Sequence, residues 1–224
     1  NKPILCYSYA EAVQQLGYSK DWAKYTLCEV MYSQFALYNR GPVVFVNVLD
    51  PKTHKKSTSS KNVTVTNKVA KVDAPVLLDT LQIKASTAGS ALIDGSDYEA
   101  AYDDDGVLVI TLLDDGTATA ASNLTLTYDE IDAAAVDADD IIGGINVSEG
   151  SVKGLECLNK VFPITGLVPG IVLAPGWSET PTVAAVMKAK AGNINSHFKA
   201  ITLNDVPTDA VKKYTDVKAW MNQN

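Results

Sequence analysis

Arginine is nearly missing from this sequence. Arg40 is the only one in 224 residues, and the pI is near 4.8. A nucleic-acid surface needs a dense basic footprint, and the one Lys-rich patch, residues 52–61, has no interleaved aromatics. Nucleic acid is therefore not an expected partner. Histidine is scarce too. His54 and His197 stand alone, with no Cys or His at metal-ligand spacing, which argues against a zinc site. The three cysteines, Cys6, Cys28 and Cys157, are odd in number and far apart. They exclude a disulfide framework and read as buried free thiols in a reducing compartment. No apolar run approaches the roughly 18 residues of a membrane-spanning helix. Neither Gly-x-Gly-x-x-Gly nor Gly-x4-Gly-Lys-Ser/Thr occurs, so a phosphate cradle has no support. There is no repeat of 20–50 residues and no disordered low-complexity block.

Apolar residues make up 46% and charged ones 20%, ordinary values for a chain with a substantial core. The charge is distributed unevenly. Residues 73–140 hold sixteen acids and one Lys (Lys84), a net of −15, while the remainder carries +8. One acidic stretch is set inside a basic chain, which suggests two surfaces with different neighbours.

Residues 168–205 organise the rest. The apolar run 171–174 is stopped by Pro175 and Gly176, as in a strand buried on both faces. Thr180 suits an N-cap and Pro181 the first helical turn, where its missing N–H costs nothing. Val183, Val186 and Met187 recur at helical spacing, Gly192 can end the helix, and 198–203 is a second strand. Strand, helix and strand within about 35 residues make a βαβ unit, with parallel strands and a right-handed crossover.

Upstream, residues 3–8 form a strand candidate, and Ser8 with Glu11 a capping box that opens a short helix ending at Gly17. A longer helix is expected over 22–39 and is ended by Gly41 and Pro42. Residues 43–49 are nearly all apolar, the pattern of a central parallel strand. After Asp50 and Pro51 the pattern changes. Residues 52–61 come nearest to a linker. Short strand-like pieces follow at 81–85, 98–102, 107–113 and 124–128. Asp105-Gly106 and Asp115-Gly116 read as hairpin turns, and residues 92–95 as a further turn. This region reads as an all-β sandwich or barrel. Helical patterns return near 129–138 and 150–161, the latter ended by Phe162 and Pro163. Pro207 opens a short helix, and a last one covers 214–221. Gly143 and Gly144 relieve a tight return of the chain.

The expected architecture is thus an α/β (α+β) core domain with a mainly parallel sheet flanked by helices, residues 1–50 and 146–224. It is interrupted by an inserted acidic all-β domain, residues 51–145. The chain starts at Asn1 rather than Met and ends just after a helix-like stretch, so it reads as a piece of a longer protein.

Candidate chemistry is thin. Ser178 follows a parallel strand, where α/β enzymes bind ligands, but Thr180 stands where a nucleophile elbow needs its last Gly. Spacing allows a Ser178/His197 pair, although no motif supports it, and a plain loop and helix-cap role is the alternative. Asp103-Asp104-Asp105-Gly106 hints at Ca²⁺, but the acids are contiguous and the twelfth position is Asp114, so a hairpin turn is expected. No catalytic, cofactor-binding or metal-binding residues are assigned, and neither an enzyme nor a cofactor is expected. A well-built α/β domain without a convergent polar site fits a structural or interaction role.

Several stretches resemble one family. Residues 1–5, then Ser8-Tyr9-Ala10-Glu11 and Leu16-Gly17, look like the entry into the core of contractile-tail sheath proteins. Tyr38-Asn39-Arg40-Gly41-Pro42 running into residues 43–48 resembles that family's Asn-Gly-Gly and valine-rich strand, with Arg40 in place of the first glycine. Residues 92–98 with 105–111 resemble the inserted β domain of sheath proteins from phages and prophages of Gram-positive bacteria. Residues 173–178 and 205–207 resemble paired core segments of the same family.

The resemblance implies a structural subunit of a contractile phage or prophage tail sheath. Such subunits stack in hexameric rings around a tube, and their contraction drives that tube through the host envelope. It implies other sheath subunits, the tail tube protein and the baseplate as partners. It places the protein in the virion tail after assembly in the bacterial cytoplasm, with no membrane insertion. This chain would then lack the terminal arms and the C-terminal assembly domain and be monomeric by itself. Its acidic β domain would face solvent, and its basic core would meet neighbours and an acidic tube. A rival reading makes the β domain a carbohydrate- or receptor-binding module on an α/β scaffold. A third is a hydrolase-like enzyme using Ser178.

Overall fold

The computed structural model describes residues 1–222. In chain order the first elements are strand β1 (Pro3–Cys6), helix α1 (Tyr9–Leu16), helix α2 (Leu27–Met31) and strand β2 (Val43–Val46). Six strands follow: β3 (Lys55–Thr64), β4 (Val69–Val72), β5 (Gln82–Lys84), β6 (Tyr98–Tyr102), β7 (Leu108–Leu112) and β8 (Asn123–Ile131). Then come α3 (Ala138–Ile142), β9 (Gly144–Asn146), β10 (Ser151–Lys153) and α4 (Leu158–Thr165). The chain closes with β11 (Ile171–Leu173), α5 (Pro181–Ala191), β12 (Ile201–Leu203) and α6 (Val217–Met221). These elements fall into two compact units. One contains Asn1–Asp50 and the chain from Val136 onward, and the other is Pro51–Ala135.

The first unit is mixed α/β. Ser8 caps α1 by accepting the Glu11 N–H on its Oγ, and the Glu11 carboxylate reaches back to the Tyr7 N–H rather than to that of Ser8, a variant of the expected capping box. Gly17, at φ +74°, ends it. The expected helix over 22–39 is only partly α-helical. It begins at Leu27 and widens into a π-helix over Tyr32–Leu37, where the Tyr38 N–H bonds back to Ser33. Cys6, Ala12, Met31, Phe35 and Phe45 form one core, in which the Phe35 and Phe45 rings lie 6.2 Å apart.

The expectation of a mainly parallel sheet is corrected. β1 pairs with β2 antiparallel, from Pro3 opposite Val46 to Cys6 opposite Val43. β9 and β10 form an antiparallel hairpin, whose second strand replaces the start of the helix expected over 150–161, and only β11 and β12 are parallel. The apolar run 43–49 misled because Phe45 alone is buried, while its neighbours Val43, Val44 and Val46 are only half-buried. Continuous apolarity does not separate a central parallel strand from a short ribbon packed on one side. The predicted helix over 129–138 is also replaced. β8 runs on to Ile131, a single 3-10 turn covers Ala133–Ala135, and α3 starts at Ala138 behind its N-cap Asp137, whose carboxylate accepts the Asp139 and Asp140 N–H groups. Pro163 does not end α4. It forfeits one backbone bond, and the helix continues to Thr165 until Gly166 turns left-handed at φ +72°.

Gly143 and Gly154 hold the return of the chain together. A Cβ on Gly143 would sit 2.0 Å from the Lys153 carbonyl oxygen, and one on Gly154 would sit 2.4 Å from that of Ile141. Backbone lies directly on backbone there, at positive φ, which only glycine tolerates without strain.

The second unit contains two three-stranded antiparallel sheets, β3-β8-β5 and β4-β7-β6. Ala70, Val72, Tyr98, Leu108, Ile110 and Leu112 from one sheet share a core with Ile83, Leu124, Leu126 and Tyr128 from the other. Period-two burial in β7 shows the inward face: Leu108, Ile110 and Leu112 are buried and Thr111 is exposed. The expected linker at 52–61 is instead most of β3, a ten-residue strand whose side chains are largely exposed. Its backbone ladder with β8 holds it in place, so it needs no apolar alternation. A bulge between Thr58 and Lys61, with Ser60 at φ +54°, breaks its register.

Both Asp-Gly turns form, for different reasons. Asp103–Val107 closes the β6–β7 hairpin with Gly106 at φ +77°, and Asp103 Oδ1 accepts the Asp105 and Val107 N–H groups. Asp115-Gly116 is not a hairpin turn, because β7 and β8 belong to different sheets. Gly116 is there because a Cβ would lie 2.8 Å from the Asp97 backbone.

Asp97 braces that corner from a buried position. Its Oδ2 accepts the Ile93 N–H and its Oδ1 accepts both the N–H and the hydroxyl of Thr117. The Ile93 N–H first, then Thr117, hold its carboxyl below the ordinary 3.8. Asp129, held by Lys55 and then Ser57, and Asp114, held by Lys68, are lowered too. A lowered folded-state pKa means that the unfolded chain binds protons first. Stability of this unit is full above the ordinary carboxylate range and is expected to fall as pH drops from about 3.8 through the lower folded values. Far-UV circular dichroism melts from pH 7 to pH 2 check this. D97N should be less stable at pH 7 and show a shallower acid slope. Equal slopes in the two proteins would remove Asp97 from the account.

Candidate functional site

The corner beyond the C-terminal ends of the parallel strands is where sequence alone placed the best chemistry. β11, α5 and β12 form the βαβ unit expected from residues 168–205, paired Ile171 with Ile201, Val172 with Thr202 and Leu173 with Leu203. Pro181 opens α5, and Thr180 holds the N-cap position in extended conformation without a side-chain cap bond. Val172 and Ala174 pack on Val183, Met187 and Ala191 of α5. The chain then turns through Pro175-Gly176-Trp177 to Ser178.

Ser178 is buried, and its hydroxyl is committed to Asp205. Ser178 Oγ donates to Asp205 Oδ2 at 2.9 Å and accepts the Asp205 N–H at 2.7 Å. Asp205 Oδ2 also accepts the Gly176 N–H at 2.8 Å. This is a clamp that ties the loop after one parallel strand to the loop after the other. His197 lies elsewhere, in the tight turn closed by Ile194 and Phe198, with its ring edge-on to Phe198. No hydrogen bond joins Ser178 to His197 among the described residues. The structure thus brings Ser178 together with Asp205 and not with His197, and the arrangement positions backbone rather than activating a nucleophile. Asp205 was noticed in the sequence only as part of a segment. Its cap-like reach across 27 residues has no local signature.

The other singled-out residues have structural surroundings. Asp103 caps its own hairpin and pairs with Lys71 at 3.7 Å. His54 is buried, and its carbonyl accepts the Asp132 N–H. Cys6, Cys28 and Cys157 are free and buried, as expected, and burial pushes all three thiols up. Such thiols stay protonated and unreactive. No group of three or more His, Cys, Asp or Glu side chains is placed to hold a metal among the described residues. No helix among them is long and apolar enough to cross a membrane.

Surface apolarity is what sequence reasoning missed. Ile171, Leu173, Ile201 and Leu203 all point away from α5 and are 55, 42, 59 and 52% exposed. They form two directly opposed pairs on one face of the parallel sheet, and no third strand flanks that sheet among the described residues. Tyr7, Leu37, Tyr38, Ile145, Val147 and Ile164 are further exposed apolar side chains of the first unit. In the second unit only Leu78, Ile93 and Tyr102 are. The expectation that the run from Ile171 is buried on both faces is corrected: Val172 alone of β11 is buried, and a run apolar at every position does not show which face is covered.

Charge sorts differently from the sequence count. The lysines between 52 and 71 belong to the β unit, where Lys55 pairs with Asp129 at 2.5 Å, Lys56 with Glu130 at 3.0 Å, and Lys68 with Asp114. The β unit carries a net −6 and the first unit −1, so the expected basic core is absent.

Over 213 residues the chain is 29% identical to the tail sheath protein of Burkholderia phage BcepMu, covering 92% of this chain and 41% of that protein. The chain therefore spans about two fifths of the length of this relative. No family model matches the chain, and no solved structure does. The likeness to a phage tail sheath protein, first carried by a handful of motifs, thus extends over nearly all of the chain.

Proposed function

We propose that these residues form part of a structural subunit of a contractile phage or prophage tail sheath. The observation that carries the reading is the likeness to a tail sheath protein along nearly the whole chain. The physical picture supports it. Ser178 is tied to Asp205 in a clamp, and large apolar side chains are left exposed mainly in the first unit. Exposed aliphatic surface of this kind marks interfaces.

In this reading the first unit makes subunit contacts, and Pro51–Ala135 is a β domain inserted into it that faces solvent. Full-length subunits stack around a tail tube above a baseplate, in a virion tail assembled in the bacterial cytoplasm. Contraction needs no covalent chemistry: a bistable assembly moves to the arrangement with the more favourable contacts. With the first unit near neutrality, apolar contact rather than net charge drives association. The glycan-binding alternative for the β unit gains no support, since Tyr102 is its one exposed aromatic and spends its hydroxyl on the Val76 carbonyl.

Negative-stain microscopy of the full-length protein beside this chain, at matched concentration, tests the proposal. Striated tubes from the former and isolated particles from the latter are expected. Isolated particles from both would sink the sheath reading.

A further inference from the structure

The in-register aliphatic face of the β11–β12 pair is left uncovered by the first unit. On the opposite face, α5 closes over Val172 and Ala174 with Val183, Met187 and Ala191. Parallel sheets persist where both faces are covered, because their strands are apolar on each side. This one is a layer short: Ile171, Leu173, Ile201 and Leu203 are 42–59% exposed.

The size of the face restricts what covers it. Four aliphatic side chains at about half exposure present on the order of 400 Å², about half of the roughly 800 Å² that each partner brings to a standard interface. That area is too small to hold two free copies of this chain together. It is sufficient for a tethered segment, which meets the face at high effective concentration. The sheath relative indicates where such a segment comes from, since its matched part is only 41% of its length.

We propose that the face of Ile171, Leu173, Ile201 and Leu203 is covered, in the full-length polypeptide, by a segment of that same polypeptide outside residues 1–224. The segment lays apolar side chains on this face, as α5 does with Val183, Met187 and Ala191 on the other side, and gives the sheet its second cover. The proposal rests on the sheath reading only for the existence of the longer polypeptide.

Maleimide labelling of I201C tests it, with the three buried native thiols as background. The added thiol should label rapidly in the 224-residue chain. In the full-length protein, diluted until monomeric, it should label at least about tenfold more slowly, because access requires local opening. Equal rates in the two proteins overturn the proposal. So does protection that appears only when subunits assemble, which gives the face to a neighbouring subunit. I201E supplies a second reading by thermal melting. It should leave the 224-residue chain unchanged and lower the melting temperature of the full-length protein by several degrees, and an unchanged full-length protein overturns the proposal. A native polypeptide with an intact mass of 23.9 kDa overturns it as well. The sheath reading is judged separately, by whether unmodified full-length protein builds tubes.

Discussion

Replacing Gly143 with Ala is expected to unfold the first unit or bring it close to unfolding. The new Cβ would lie 2.0 Å from the Lys153 oxygen, 2.4 Å from its carbonyl carbon and 2.7 Å from the Gly154 Cα. None of these atoms belongs to a side chain that can swing away. The backbone at Gly143, φ +69° and ψ −153°, is also a region almost closed to residues with a Cβ. Strain and clash together place the cost above about 4 kcal/mol, in the tail of single-substitution effects. Whole domains are stable by only about 5–15 kcal/mol. Thermal melts followed by tryptophan fluorescence read this unit directly, since Trp22, Trp177 and Trp220 all belong to it. Gly144→Ala is the matched control. Nothing lies within 4 Å of a Cβ there, and its melting temperature should hardly move. A G143A protein that melts with the parent would show that the Gly143–Lys153 contact is not tight in solution.

Met187→Ala should be the second most damaging change. Met187 is fully buried at the centre of the cluster with Val172, Val183, Ala174 and Ala191, and α5 is the layer that covers this face of the parallel strands. Truncating such a side chain removes its transfer energy and leaves a cavity, for about 2–5 kcal/mol. Denaturant melts followed at Trp177, which packs against the same cluster, measure the loss. Thr182→Ala, on the exposed side of the same helix, should stay within about 0.5 kcal/mol. A cost below about 1 kcal/mol would mean that the helix repacks freely and does not set the strands.

What the sequence revealed was set by how local each signal is. The βαβ unit was legible because Pro175-Gly176, Thr180-Pro181 and Gly192 punctuate it, and the structure returns it with Pro181–Ala191 as its helix. Tyr98–Tyr102 was legible because the Asp105-Gly106 turn fixes the hairpin that follows. Lys55–Thr64 was not, because an edge strand supported by the backbone of β8 can carry almost any polar side chain. Sheet direction was not legible either. Pairing Val43–Val46 with Pro3–Cys6 is a tertiary choice that an apolar run leaves open. The Ser178–Asp205 clamp and the Asp97 brace both bridge residues far apart in the chain. Ser178 was picked out for chemistry because its surroundings in the sequence suggested an enzyme corner. Asp205 gives it a structural role instead.

The polar, lysine-bearing strand Lys55–Thr64 has a consequence for crowding. It lies at the border of its sheet, and ten residues of open ladder would recruit a like strand from another molecule wherever many copies stand close together. Lys55 and Lys56, with the carboxylates they pair with, and Lys61 make that approach cost desolvation, and the bulge at Ser60 twists the border out of line. Such a border lets copies be concentrated side by side without their β units knitting into a fibre.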